Sequence, residues 1–451
     1  MISPAGRPSI QTISPTHAAA WTPASHCKRF ALALAMCGAM GGSAALGEET
    51  PGLPDRLIQA GVTPSLTYNG EIAANLAGGV KRGEVYAGNL HMRLAFNGER
   101  LVETPGLSGF LDVMWISGGR PEDYAGAAQG VSNFADLPAL RLYEAWLEYN
   151  FGDNRFSILG GRYDLNTEFY DLASAAMLLN PSFGIGPEFG LSGFSGPSIF
   201  PNTSLAVRLA YKPTPNIVLQ TAVLDGAPVD RVNGSPAPLD PHNGVLLVGE
   251  AAYLTYSAGG ADPADDPGNL VGRAASQARY DDKFAVGAWY YTARLSQNAN
   301  PSATSLIQGE GQVQGEGGGY AIFDHLLFQS KGDPKRRLSG FLQLGFANRT
   351  VNRFGTYLGA GLVASGILAS RTDDQFGLAV AMASNGSRYT AAQQQAGVPV
   401  NATETALEIS YLAQLTSWIG VQPDVQYVIH PNTDPNVANA TIVQIRAQVM
   451  F

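Results

Sequence analysis

Beyond about residue 60 the chain alternates between apolar and polar side chains in short bursts. "TPSLTYNGEIAANL" sets Leu66, Tyr68, Ile72 and Ala74 on one face, against Ser65, Thr67, Asn69, Glu71 and Asn75. "SLAVRLAYK" opposes Leu205, Val207, Leu209 and Tyr211 to Ser204, Ala206, Arg208 and Lys212. The same happens in "LEISYLAQL" (407–415), in "WIGVQPDVQYVI" (418–429) and in the closing "IVQIRAQVMF" (442–451). A period of two predicts strands with one oily and one wet face. Further strands are predicted over 107–116, 140–151, 216–224, 245–256, 283–294, 320–329, 338–347, 356–364 and 375–384. Pro423, in mid-strand, removes a ladder donor and predicts a β-bulge there, an imperfect pairing being the alternative.

The connections are of two kinds. Some are tight ("FGDNR" at 151–155, "KPTPN" at 212–216, "SRTDDQ" at 370–375), and others are long and rich in Gly, Pro and Asp (257–280, 297–319, 385–403). "GEGQVQGEGGG" (309–319) lacks a Lys and the strand–helix context of a phosphate loop, and reads as a flexible loop. Short turns alternating with long loops are the pattern of an outer-membrane barrel. The expected fold is all-β: a transmembrane antiparallel β-barrel with short periplasmic turns and long extracellular loops. About 400 residues at about 25 per strand and connection predict about 16 strands.

Composition changes the picture in one direction. Charged residues make up only 14% of the chain, beside 45% hydrophobic residues, where soluble domains carry about 25% charge. A soluble protein so poor in charge lacks a means of staying dispersed, and a barrel in lipid needs none. The polar faces carry Gln, Asn, Ser, Arg and scattered acids beside small Gly and Ala, rather than the many Lys and Glu of a solvent-exposed sandwich face. The oily side is therefore expected outside and the wet side in the bore. The net charge of −9 offers no basic stripe for nucleic acid.

Residues 1–47 read as an export leader: His26, Lys28 and Arg29 precede the apolar "FALALAMCGAM", and "SAALG" supplies small residues for cleavage. Residues 48–61 then form a short periplasmic segment and 62–451 the barrel. Both cysteines, Cys27 and Cys37, fall in the leader, which excludes disulfides and cysteine–metal sites from the mature chain. No metal or other cofactor is expected. The six His are scattered, and neither HExxH nor GxSxG occurs, so no enzymatic centre is expected.

Several stretches carry a family resemblance: "LRLYEAWLEYNF" (140–151), "GGRYDLNTEFYDLASAAMLLNPSFG" (160–184), "PNTSLAVRLAYKPTPNIVLQTAVLDG" (201–226) and "EISYLAQLTSWIGVQPDVQYVIHPN" (408–432). In their order and spacing, and with the terminal Phe451, the chain resembles the carbohydrate-selective porin (OprB) family. The resemblance implies a 16-stranded channel of a Gram-negative outer membrane that passes sugars by diffusion. The loops 257–319 and 385–403 depart from it.

A sugar is uncharged, rich in hydroxyls and apolar on its ring faces. A pore that favours it needs donors, acceptors and aromatic surface, all binding weakly. Glu144, Trp146 and Glu148 share one parity and Arg141 the other, so either Arg141 lies beyond the membrane belt or the register shifts between them. Asp171 is a candidate helix N-cap in a segment that folds inward, bringing Arg162, Asp164 and Glu168 to the constriction. Arg208, mid-strand on the polar parity, points into the lumen, since facing lipid would cost about 2–4 kcal/mol. The expected constriction is thus Arg141, Glu144, Trp146, Glu148, Arg162, Asp164, Glu168 and Arg208. The expected partners are sugars, outer-membrane lipid and lipopolysaccharide, and the barrel-assembly machinery reading Phe451, with no nucleic acid. Homo-oligomerisation through a lipid-facing patch is an open alternative. Rival readings are a general solute pore, an outer-membrane barrel enzyme and a soluble sugar-binding protein.

Overall fold

The computed structural model describes residues 53–228, 243–256, 280–296 and 312–451. A short helix, α1 (Leu53–Gln59), leads into β1 (Val62–Gly79). There follow β2 (Gly83–Asn97), β3 (Leu107–Gly118), β4 (Ala139–Phe151) and β5 (Phe156–Tyr163). Next come β6 (Ser204–Thr214), β7 (Ile217–Asp225), β8 (Val245–Thr255) and β9 (Asp282–Ser296). Then β10 (Gln312–Gln329), β11 (Arg337–Ala347), β12 (Phe354–Ser365) and β13 (Gln375–Asn385). The last are β14 (Thr403–Gln414), β15 (Ile419–Ile429) and β16 (Ala438–Met450). These sixteen strands of the described residues form a closed antiparallel meander, with β16 returning to pair with β1. Closure leaves no sheet edge unpaired, which hydrocarbon demands of any sheet that spans it.

The polarity of the wall follows the alternation. Val207, Val425 and Ile445 are 49, 43 and 55% exposed on the outer skin. Their neighbours Arg208, Asp424 and Gln444 are buried on the inner side. Tyr211, Tyr253, Phe284 and Phe323 are exposed near one rim, and Trp115, Tyr290, Phe346 and Tyr427 near the other. Two such girdles mark the membrane–water interfaces.

Several expectations need correction. β2 was not among the predicted strands, although Asn89, His91 and Arg93 alternate in it with Leu90, Met92 and Leu94. The Gly-rich 312–319 is not loop but the first half of β10, where Glu316 is buried. The even spacing of the meander puts the β8–β9 connection at the end holding the tight turns 152–155, 215–216 and 366–374, so the expected external loop 257–280 belongs to the turn end. Residues 257–279 themselves lie outside the described residues. Pro423 causes no bulge. It pairs in register with Ile445, and on its other side the β14–β15 ladder omits Tyr411 and Leu412, so the missing donor faces a gap.

Candidate functional site

Two connections at the loop end turn into the barrel instead of standing outside it. The first is 119–138, between β3 and β4, and the second is 164–203, between β5 and β6. The second carries Leu165, Phe169, Tyr170, Leu178, Phe183 and Phe189, all fully buried against the inner wall. Phe189 stacks on Trp289 with centroids 4.9 Å apart and planes 5° from parallel, and Tyr170 lies 4.3 Å from Tyr320. The segment and the wall behind it thus form a hydrophobic core inside the barrel.

Local capping shapes this segment. Asp164 accepts the Asn166 amide at 2.9 Å and caps the turn Leu165–Thr167, and Asn180 accepts the Ser182 amide at 3.0 Å and caps Pro181–Phe183. The helix start expected at Asp171 is absent. Instead its carbonyl accepts Lys283 Nζ at 2.7 Å. Wall acids satisfy the segment's amides: Glu250 takes Tyr170 N (2.9 Å), Asp324 takes Ser174 N (2.9 Å) and Glu316 takes Gly193 N (2.8 Å). An unpaired backbone amide is costly inside a wall, and a carboxylate makes the stronger type of bond to it.

The inner face of β4–β6 brings six of the eight expected residues together. A bulge opposite Asp112 and Val113 makes Tyr143 an extra residue on β4. The register therefore shifts between Arg141 and Glu144, and both parities of "RLYEAWLE" turn inward. Glu144 accepts the Trp146 indole at 3.1 Å and the Asp164 amide at 3.3 Å, and Tyr143 donates to Asp164. Burial pushes the Asp164 carboxyl up to about 6, against the lowering pull of the Tyr143 and Asn166 hydrogen bonds. Arg208, its side chain 3% exposed, forks onto both oxygens of Glu168 (2.8 and 2.9 Å). It also meets Glu148 at 2.7 Å and Ser157 Oγ at 2.5 Å.

Arg141 and Arg162 do not join this cluster. Arg141 pairs with Asp136 at 3.1 Å, in the first inward connection. Arg162 lies opposite Leu205 and Ala145 on the outward parity and donates to the Thr203 carbonyl. Register runs unbroken through Gly160 and Gly161. Gly161 has φ +143°, and a Cβ there would come within 2.3 Å of the Ala145 carbonyl, so only glycine lets β5 lie this close to β4.

A second group, on β16 and β1–β3, was not anticipated. Asp112 accepts His91 Nδ1 at 2.7 Å and Arg93 Nε at 2.9 Å, and the Arg93 side chain remains 32% exposed. Phe110, half-buried, stacks on Trp146 at 5.4 Å. Arg446 forks onto Glu71 Oε2 (3.0 and 2.9 Å) and lies 4.3 Å above the Phe134 ring. Asn69 and Gln448 meet at 3.0 Å. The argument that places Arg208 inside applies equally to Arg93 and Arg446, both mid-strand on a polar parity.

A closed barrel with an inward-folded segment after β5 and an inner wall of hydrogen-bonded charges narrows the identity. The model of the carbohydrate-selective porin, OprB family, matches residues 114–451. This chain belongs to that family. Porin B of Pseudomonas aeruginosa is 24% identical over 430 residues, which cover 88% of this chain and 88% of that relative. The high-pH structure of Pseudomonas putida OprB superimposes with a TM-score of 0.75 at 21% identity, covering 88% of this chain and 96% of that one. Its low-pH counterpart gives 0.54 at 17%, covering 88% and 94%. The protein is a carbohydrate-selective porin, a channel of the outer membrane.

Proposed function

We propose that this porin passes mono- and small oligosaccharides into the periplasm by passive diffusion, and that two adjoining strips of its inner wall divide the work. The observation that carries this reading is a polar inner wall whose charged groups are held by fixed hydrogen bonds beside the half-buried ring of Phe110. Glu144, Glu148, Asp164, Glu168 and Arg208, backed by Trp146, form a stiff wall of four acids around one guanidinium, each held by fixed hydrogen bonds and so not free to clamp a passing ion. Phe110 offers the ring face, and Arg93, Asn69 and Gln448 offer the hydroxyl partners, along the strip β16–β3. Residues 1–47 act as the export leader, 48–61 as a periplasmic segment and 62–451 as the barrel, in keeping with β1 beginning at Val62. Phe451, 47% exposed, serves recognition by the assembly machinery, and lipid and lipopolysaccharide contact the outer skin.

The test is liposome swelling with sugars and charged solutes of equal size, together with sugar block of single-channel current. Arg93→Ala and Phe110→Ala should each weaken block and leave the ionic conductance near that of the parent. Swelling no faster with sugars than with charged solutes would reduce the protein to a general pore.

A further inference from the structure

Glu404 and Glu408 lie four residues apart on the inner face of β14, and both are fully buried. Glu404 accepts two consecutive amides of the first inward connection, Ala128 N and Gln129 N, each at 2.8 Å and each on its own oxygen. Glu408 does the same to the second, taking Leu179 N at 2.6 Å and Asn180 N at 2.9 Å. One strand thus grips both segments with the same device, a carboxylate seated on a pair of successive backbone N–H groups.

On β15, Gln426 donates to the Val131 carbonyl at 2.8 Å and accepts Asn180 Nδ2 at 3.1 Å, while Gln422 donates to the Met177 carbonyl at 2.6 Å. The segments are also tied to each other, Asn180 Nδ2 reaching the Gly130 carbonyl at 3.0 Å and Ser182 Oγ the Gln129 carbonyl at 3.4 Å. They therefore cross the lumen as one unit, anchored to β14–β15. Glu408 faces Asp424 within the wall, and Arg353 supplies positive charge toward Glu404.

We infer that Glu404, Glu408, Gln422 and Gln426 are positioning residues that fix the width of the bore, and with it the largest solute admitted, by holding both crossing segments without touching the solute. The statement about solute size rests on the sugar-channel reading above; the statement about width does not. A carboxylate presents two acceptors to two amides. The amide of Glu408→Gln presents one acceptor and one donor, so one backbone N–H is left facing a donor.

The experiment compares the parent with Glu408→Gln in the full chain, folded in detergent and scored by its heat-sensitive gel mobility. Amide exchange over 177–183 should speed up by about tenfold, the factor carried by the loss of one buried hydrogen bond. Single-channel conductance should rise, and oligosaccharides one or two units longer than the parent's limit should enter liposomes. Should Glu408→Gln not fold, Gln422→Leu removes the bond to the Met177 carbonyl together with one to Ser410 Oγ, and is read in the same way. Faster exchange with unchanged conductance and size limit would overturn the inference, as would unchanged exchange. A wider pore that still shows no preference for sugars would uphold it and sink the sugar reading instead.

Discussion

Arg208→Ala is the perturbation whose outcome the structure defines most sharply. Its guanidinium sits in the inner wall at 3% exposure and makes four bonds of 2.5–2.9 Å to Glu148, Glu168 and Ser157. Truncation leaves two carboxylates facing a vacated space. An exposed pair is worth at most about 1 kcal/mol, whereas removing one member of a buried pair costs about 3–5 kcal/mol, since the other charge is left uncompensated. At this burial the second figure applies. The assay is the urea midpoint of the refolded porin in detergent micelles, followed by tryptophan fluorescence. Arg208→Ala should lose about 3–5 kcal/mol, and adding Glu168→Gln should recover part of it, because the stranded charge is then gone. A loss under about 1 kcal/mol, or a double variant as weak as the sum of the singles, would refute the reasoning. Sugar block should follow stability here: Arg208 shapes the wall that solute passes and is too deeply seated to meet it.

Two further outcomes follow from other parts of the molecule. Glu188 lies in a cradle where a Cβ on Gly345 or Gly186 would come within 1.8 or 2.1 Å of its carboxyl oxygens, and burial pushes it from 4.5 to about 7. The folded state then holds a proton that the unfolded chain releases, so stability falls as pH rises from about 4.5 to 7, by about 3 kcal/mol in all. Glu188→Gln should remove that part of the slope of urea midpoint against pH, and an unchanged slope would locate the effect elsewhere. Ile445→Lys puts a cation on the outer skin and should cost about 2–4 kcal/mol if the site is at midplane, seen as a lower yield of folded barrel in vesicles; full yield would contradict the outward placement.

The architecture was legible in the sequence because membrane strands obey one simple rule. Alternation put Val207, Val425 and Ile445 outside and Arg208 inside, and no tertiary accident was needed to decide it. The site was legible only in part. Arg162 follows two glycines, and its parity can be read only from its pairing with Leu205. The shift between Arg141 and Glu144 was one of two alternatives that their opposite parities raised, and only the bulge decides for it. The segment after β5 was expected to fold inward, yet its cap is Asp164 rather than Asp171, because the chain there makes short turns around a hydrophobic core contributed by distant strands. Glu316 was lost in a glycine-rich run whose strand character comes from pairing with β9 and β11. The acids that hold backbone amides look, in sequence, no different from acids that would greet a solute.

The inward segment leaves the wall after the fifth strand, yet its anchors stand on β8, β10, β14 and β15. A nascent porin therefore carries its own filter undocked until nearly the whole chain has been delivered, and barrels arrested short of β14 would be leaky as well as incomplete. In such a protein selectivity is the last property to mature, and tightness toward solutes becomes a report that the cylinder has closed with every stave in place.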